Sequence, residues 1–156
     1  MLASLEMISS IFWERAYPYI VSTIVTVIWL WPLGSPFPAQ IELLMGASVT
    51  VGSVFGGFLG ASKAIILSIK SSAVFERLKS SGYLENLFDY LRTGVVAALA
   101  FIILSIIGYF IDSYKVIAYG ITQIDVFSVL WIFAALMSLL SYYRVYNILF
   151  KLLRHT

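Results

Sequence analysis

Few side chains in this sequence have a type and spacing that suit acid–base or nucleophilic chemistry. Glu85 and Asp89 lie four positions apart and share one helical face, and two acids flanking a cleft are what glycoside hydrolysis requires. Ser53 lies among glycines in residues 52–56, but not in the order of a nucleophile elbow. The single histidine, His155, has no partners for a metal site. We therefore expect no enzyme activity, no cofactor and no metal, and interpret Glu85 and Asp89 as a solvated face.

Two further charged residues flank a long apolar run. Glu42 and Lys63 are 21 positions apart, which in a helix is about 31 Å, close to the thickness of a bilayer's hydrocarbon layer. Inside a membrane such groups serve as ion paths or proton relays. At the two ends of a span they mark the interfaces, because a lysine side chain can extend to water. We favour the second interpretation and leave the first open.

The composition is that of a membrane protein. Of 156 residues, 61% are hydrophobic and only 12% charged, whereas a soluble domain carries about a quarter charged residues. The mean hydropathy is +0.95. There is no cysteine, and the net charge of +2 is too small to suggest direct nucleic-acid binding. These values predict an all-α, polytopic protein in contact with membrane lipid.

Hydropathy, glycine and proline divide the chain into four predicted transmembrane helices and an amphipathic helical segment between the second and third. Prolines and glycine in residues 34–40 predict a tight hairpin of spans one and two, and Pro18 suits a first helical turn. The predicted segments are an interfacial segment 1–15, span one 17–33, span two 41–69, cytoplasmic helices 70–92, span three 93–111, an outer loop 112–124, span four 125–144 and a cytoplasmic helical tail 145–156.

The distribution of lysine and arginine predicts the orientation. With four spans, Lys115 lies on one side and all other cationic residues lie on the other. Cytoplasmic loops carry the excess of lysine and arginine, so both termini are predicted to be cytoplasmic. The residues on that side are Arg15, Lys63, Lys70, Arg77, Lys79, Arg92, Arg144, Lys151 and Arg154.

Span two carries small residues at every fourth position. Small side chains let two helix backbones approach closely in lipid, where burying leucine gives little gain. Four residues turn about 400°, so the row drifts slowly around the helix and favours a right-handed crossing. The row packs against span one or three, or against a second copy in a homo-oligomer. The predicted helix-packing residues are Ser48, Gly52, Gly56, Gly60 and Ala64.

The polar segment 70–92 is predicted to form two short helices, broken at residues 80–82 with Ser81 as an N-cap. It either lies on anionic lipid or forms a platform for a soluble partner together with the C-terminal tail. The predicted partner- or lipid-binding residues are Arg77, Lys79, Tyr83, Phe88, Tyr90, Arg92, Arg144 and Lys151.

Residues 54–95 combine a glycine-rich span, a serine-rich charged stretch and the motif LKSSGYLENLFDYL. This arrangement is similar to that of the small four-helix membrane subunits of Kiwa anti-phage systems. The resemblance implies a homo-oligomer, a tetramer, in the bacterial inner membrane. It also implies a KwaB-like cytoplasmic effector that binds DNA, with the membrane subunit sensing infection.

Two functions from different classes follow. The first is a non-enzymatic inner-membrane sensor or scaffold that oligomerises through small residues and recruits a cytoplasmic effector. The alternative is a pore-forming or membrane-permeabilising protein, holin-like or a defence effector. A pore needs polar residues along its path, and Thr23, Thr50 and Ser53 are few. We therefore favour the first.

Overall fold

The computed structural model describes residues 2–31, 40–68, 70, 73–80, 82–110 and 123–154. These residues are helical apart from short turns, so the predicted all-α class is confirmed for this part of the chain. The helices are α1 (Leu2–Leu30), α2 (Ile41–Ser68), α3 (Ala73–Ser80), α4 (Tyr83–Gly108) and α5 (Gln123–Arg154). Residues 34–39 of the predicted turn, the cap at Ser81, most of the outer loop, including Lys115, and His155 lie outside the described residues.

In the described part of the chain, three helices are long and apolar enough to cross a bilayer, over Ile41–Ser68, Tyr83–Gly108 and Val126–Leu152. The protein is therefore a helical membrane protein. Helix α1 does not belong to this set, although it has 29 residues. Its uncharged part after Arg15, residues 16–30, spans only about 22 Å as a helix, less than the hydrocarbon thickness.

Helices α1, α4 and α5 extend across boundaries that the sequence predicted. Residues 2–30 form one helix, with Pro18 in its interior and not in a first turn. The second half of segment 70–92 is continuous with span three in α4, and span four is continuous with its tail in α5. The predicted break at residues 80–82 coincides with Gly82, whose φ of 71° allows the chain to turn between α3 and α4.

Pairs of neighbouring residues show how the helices run. A Cβ built on Gly108 of α4 would meet Met45 of α2, and one built on Gly94 would meet Leu59, so α2 and α4 are antiparallel. Helix α5 is antiparallel to α4 and contacts α1, α2 and α4. Helix α1 packs mainly against α5, not as the predicted hairpin with span two.

The core consists of two clusters at opposite ends of the bundle. One contains Leu59, Leu87 and Val145 and receives Phe75 from the short helix α3; we call this side the Arg144 end. The other contains Met45, Phe101 and Trp131 and defines the Met45 end. The indole Nε1 of Trp131 donates a hydrogen bond to the Ser105 hydroxyl at 3.0 Å.

Replacing Ser105 with alanine is expected to lower the free energy of unfolding by about 1–3 kcal/mol, because the buried Trp131 N–H loses its acceptor. Thermal unfolding in detergent measures the change. The matched control is Ser53→Ala, since Ser53 is exposed and its hydroxyl contacts only its own helix, at the Val49 carbonyl. Equal stability of the two variants would contradict a structural role for the Ser105–Trp131 bond.

The predicted small-residue row packs within the chain over its first half only. Ser48 and Gly52 are buried, and Gly56 is half-buried and faces Ala98 of α4. Gly60 and Ala64 are exposed. A four-residue repeat drifts by about 40° per step, so the row leaves the contact with α4 after Gly56. The buried residues of α2 follow a repeat closer to 3.5, at Met45, Ser48, Gly52, Leu59, Ser62 and Ile66.

Candidate functional site

The candidate site begins with a proline inside helix α1. Pro18 has no backbone N–H, so the carbonyl of Glu14, four residues earlier, receives no helical hydrogen bond. Arg144 of α5 fills this gap, and its Nη1 donates to the Glu14 carbonyl at 3.1 Å. Arg144 is only 4% exposed, so its guanidinium is buried between helices where it makes this contact. A cation on one helix therefore compensates for a backbone defect in another.

The Arg144 guanidinium also lies over an aromatic ring. Its Cζ is 4.1 Å from the centroid of the Tyr90 ring, on α4, and Tyr90 is 1% exposed. A cation–π contact of this kind contributes about 2 kcal/mol when desolvated. The Arg144 Nε and the Tyr90 hydroxyl find no hydrogen-bond partner in the described part of the chain. Arg144 thereby joins three helices at one point.

Three further contacts attach the same turn of α1 to α4 and α5. The Tyr83 hydroxyl donates to Glu14 Oε2 at 2.9 Å, and Arg15 Nη2 pairs with Asp89 Oδ2 at 2.9 Å. The Tyr17 hydroxyl donates to the Leu140 carbonyl at 3.3 Å. Both side chains of the Arg15–Asp89 pair are more than half exposed, so that pair adds little stability. We call the residues Glu14, Arg15, Tyr17, Tyr83, Asp89, Tyr90 and Arg144 the arginine cluster.

Beyond this cluster, α1 contacts the bundle through a narrow stripe. Pro18, Ser22 and Thr26 are buried, whereas Ile24 and Ile28 are about half exposed. The fully buried side chains of this stripe are small or polar, and the half-buried Trp29 adds a larger apolar surface. Among the described side chains of α1, the arginine cluster supplies the hydrogen bonds and the ion pair to other helices.

The structure separates the predicted binding residues into two groups. Tyr90 and Arg144 are buried, so they are corrected from surface residues to residues that join helices. Tyr83 is half-buried and also belongs to the arginine cluster. Of the remaining predicted residues, Lys79, Arg92 and Lys151 are exposed, Phe88 is half-buried, and the side chain of Arg77 lies outside the described residues. Phe88 and Arg92 line one groove.

The contacts of these side chains hold helices in position relative to one another. Asp89 is occupied by Arg15, and Glu85 is exposed on the same helix. Among the described residues, no three histidine, aspartate or glutamate side chains come together as a metal site requires. Sequence reasoning missed the contact between Glu14 and Arg144. The available signal was Pro18 within a continuous helical pattern, since such a proline leaves a carbonyl that another group must satisfy.

Comparisons with known proteins assign neither the fold nor the cluster. No protein-family model matches the chain, no curated protein is significantly similar, and no solved structure is significantly similar. The fold and the cluster define a class: a helical membrane protein in which a buried arginine joins three helices.

Proposed function

We propose that this chain is a non-enzymatic scaffold or sensor of the bacterial inner membrane, with four spans and both termini in the cytoplasm. Three candidate spans support the membrane location. Support for a fourth comes from α1, which runs antiparallel to α5: Glu14 contacts Arg144 and Tyr17 contacts Leu140. The excess of lysine and arginine on the side of the Arg144 end supports cytoplasmic termini.

The observation that carries the sensor proposal is the attachment of α1 by a compact polar cluster. Displacing α1 would remove the Arg144 contact to Glu14 and the Arg15–Asp89 pair together. Two arrangements of α1 would thus differ in defined contacts, as a two-state element requires. A disturbance of the bilayer that tilts α1 would shift this equilibrium and change the cytoplasmic surface next to it.

Self-association is supported by the part of α2 that points away from the bundle. Gly57, Ala61 and Ala64 are exposed, and a Cβ on Gly57 would meet no atom within 4 Å. Small residues on a lipid-facing surface allow close approach of a second helix. This surface supports a homo-oligomer, and the resemblance to Kiwa membrane subunits favours a tetramer.

Recruitment of a cytoplasmic partner is the output in this proposal. The exposed cation Lys79 lies on α3, which packs on α4 at the Arg144 end. Lys151 lies exposed near the end of α5. The resemblance favours a KwaB-like DNA-binding effector in anti-phage defence as the partner, with no direct contact between this chain and nucleic acid.

Cross-linking with mass spectrometry on native membranes tests the proposal, because it identifies both copy number and partner. The charge reversals Arg77→Glu and Lys79→Glu together are expected to lower the yield of the cytoplasmic cross-link at least tenfold. The control is Lys115→Glu, which lies on the opposite side in the proposed orientation and should retain the cross-link. If the double variant cross-links as well as the native chain does, the segment contacts lipid and not a partner.

A pore or permeabilising protein is the competing proposal. Several span hydroxyls donate to carbonyls of their own helix, such as Ser48 to Leu44 at 2.7 Å and Ser62 to Phe58 at 2.8 Å. Hydroxyls bonded in this way do not offer free donors along a path, which supports the scaffold. The buried hydroxyls of Ser22, Thr26, Ser138 and Ser141 have no hydrogen-bond partner among the described residues, which supports the pore. Ion flux from liposomes containing the purified chain would favour the pore instead.

A further inference from the structure

A groove lies between α2 and α4 near the Arg144 end and shares Asp89 with the contacts that attach α1. Its volume is about 590 Å³, within the range of sites for small ligands. Leu59, Gly60, Val95 and Val96 line its apolar part, and Lys63 and Arg92 lie at its charged part. We propose that this groove binds one acidic phospholipid, with the phosphate at Lys63 and Arg92 and an acyl chain over Gly60.

The charges at the groove favour an anion. Lys63 and Arg92 are exposed, and within the described ranges neither lies within salt-bridge distance of a carboxylate. The one carboxylate in the lining, Asp89, is paired with Arg15 at 2.9 Å. The charged part of the groove therefore carries a net positive charge that can attract an anionic ligand. Lysine and arginine side chains near a membrane surface attract anionic lipid.

The shape of the groove favours a lipid over a soluble anion. A Cβ on Gly60 would meet no atom within 4 Å, so the missing side chain leaves open space next to α4. Beyond Val96, which is 59% exposed, the apolar surface of α4 continues through Leu99 and Ile103, both about half exposed. A cationic end followed by an apolar strip matches a phosphate headgroup followed by an acyl chain.

Native mass spectrometry of the full chain in detergent, supplied with phosphatidylglycerol or phosphatidylcholine, tests the charged end. The native chain is expected to retain one phosphatidylglycerol in preference to phosphatidylcholine. Lys63→Gln with Arg92→Gln should reduce this preference about thirtyfold, the factor expected for removing two interfacial cations. The control, Lys70→Gln with Arg154→Gln, removes the same charge from exposed positions outside the groove and should keep the preference. Equal preference in both variants would overturn the proposal.

A second variant tests the apolar part without changing any charge. Gly60→Leu fills the open space and should at least halve phosphatidylglycerol retention, with the thermal midpoint of the delipidated protein unchanged. Unchanged retention would overturn the proposal. A smaller oligomer with unchanged retention would also overturn it, since the groove would then hold a second copy. The proposal does not depend on the scaffold function, because lipid retention is measured without any cytoplasmic partner.

Discussion

Replacing Gly52 with leucine is expected to lower the free energy of unfolding by about 3 kcal/mol, near the upper end of what overpacking costs. A Cβ at Gly52 would lie 2.7 Å from Ile102 Cγ1 and 3.2 Å from Phe101 Cδ1, both on α4. Neither atom is the free end of a long side chain, so α2 and α4 must separate to admit a leucine. Their separation would also loosen the Met45 end, where Phe101 contacts Trp131.

Thermal unfolding of the delipidated protein in detergent measures this effect. Gly60→Leu makes the same substitution on the same helix, where a Cβ meets nothing within 4 Å, and is expected to leave the midpoint unchanged. The pair separates packing between helices from any general effect of leucine on α2. Equal midpoints for the two variants would mean that the described contact between α2 and α4 does not form.

Replacing Arg144 with leucine is expected to release α1 from the bundle. The change leaves the Glu14 carbonyl without a donor, at a cost of about 1–3 kcal/mol. It also removes the cation–π contact with Tyr90, worth about 2 kcal/mol when desolvated. In the rest of α1 whose side chains are described, Ser22 and Thr26 are buried and Trp29 is half-buried, so we expect α1 to detach before the remaining helices unfold.

The chain has no cysteine, so one introduced thiol reports on α1 alone. Ser22→Cys is buried in the native arrangement, and its labelling by a maleimide in detergent should accelerate at least tenfold when Arg144→Leu is added. Val21→Cys, at an exposed position, should label at the same rate in both backgrounds. Arg144→Lys should give an intermediate rate, because an ammonium keeps the charge but not the planar stacking. If Ser22→Cys is labelled at the same rate with and without Arg144→Leu, the cluster does not hold α1 in place.

Hydropathy was sufficient to predict the helical class and the three helices that meet the length and apolarity of a span. Each has a long stretch with few charges. In lipid, a single stretch of this kind must form all its backbone hydrogen bonds within itself, which only a helix can do. The turn at Gly82 was also predictable, because two serines and a glycine interrupt the apolar pattern there. These features depend on neighbouring residues and need no knowledge of distant ones.

The arginine cluster could not be predicted in the same way, because its residues are far apart in the sequence. An interior proline costs a helix about 3 kcal/mol or more, so the sequence favoured Pro18 at a helix start. The compensating donor, Arg144, lies on the last helix, and its position at the predicted end of span four suggested a surface role. How much of the small-residue row packs within the chain could not be predicted for a related reason. The row turns away from α4, and this can be recognised only when α4 is known to be the partner helix.

Pro18 and Arg144 also constrain the order in which this chain can change over evolutionary time. If the arginine is lost first, the Glu14 carbonyl has no hydrogen-bond donor, and the protein is immediately less stable. Reverting the proline first restores the amide that the carbonyl lacked, after which the arginine is freer to drift. The two positions are thus expected to show directional epistasis, in which one sequence of substitutions is accessible to selection and the reverse is not.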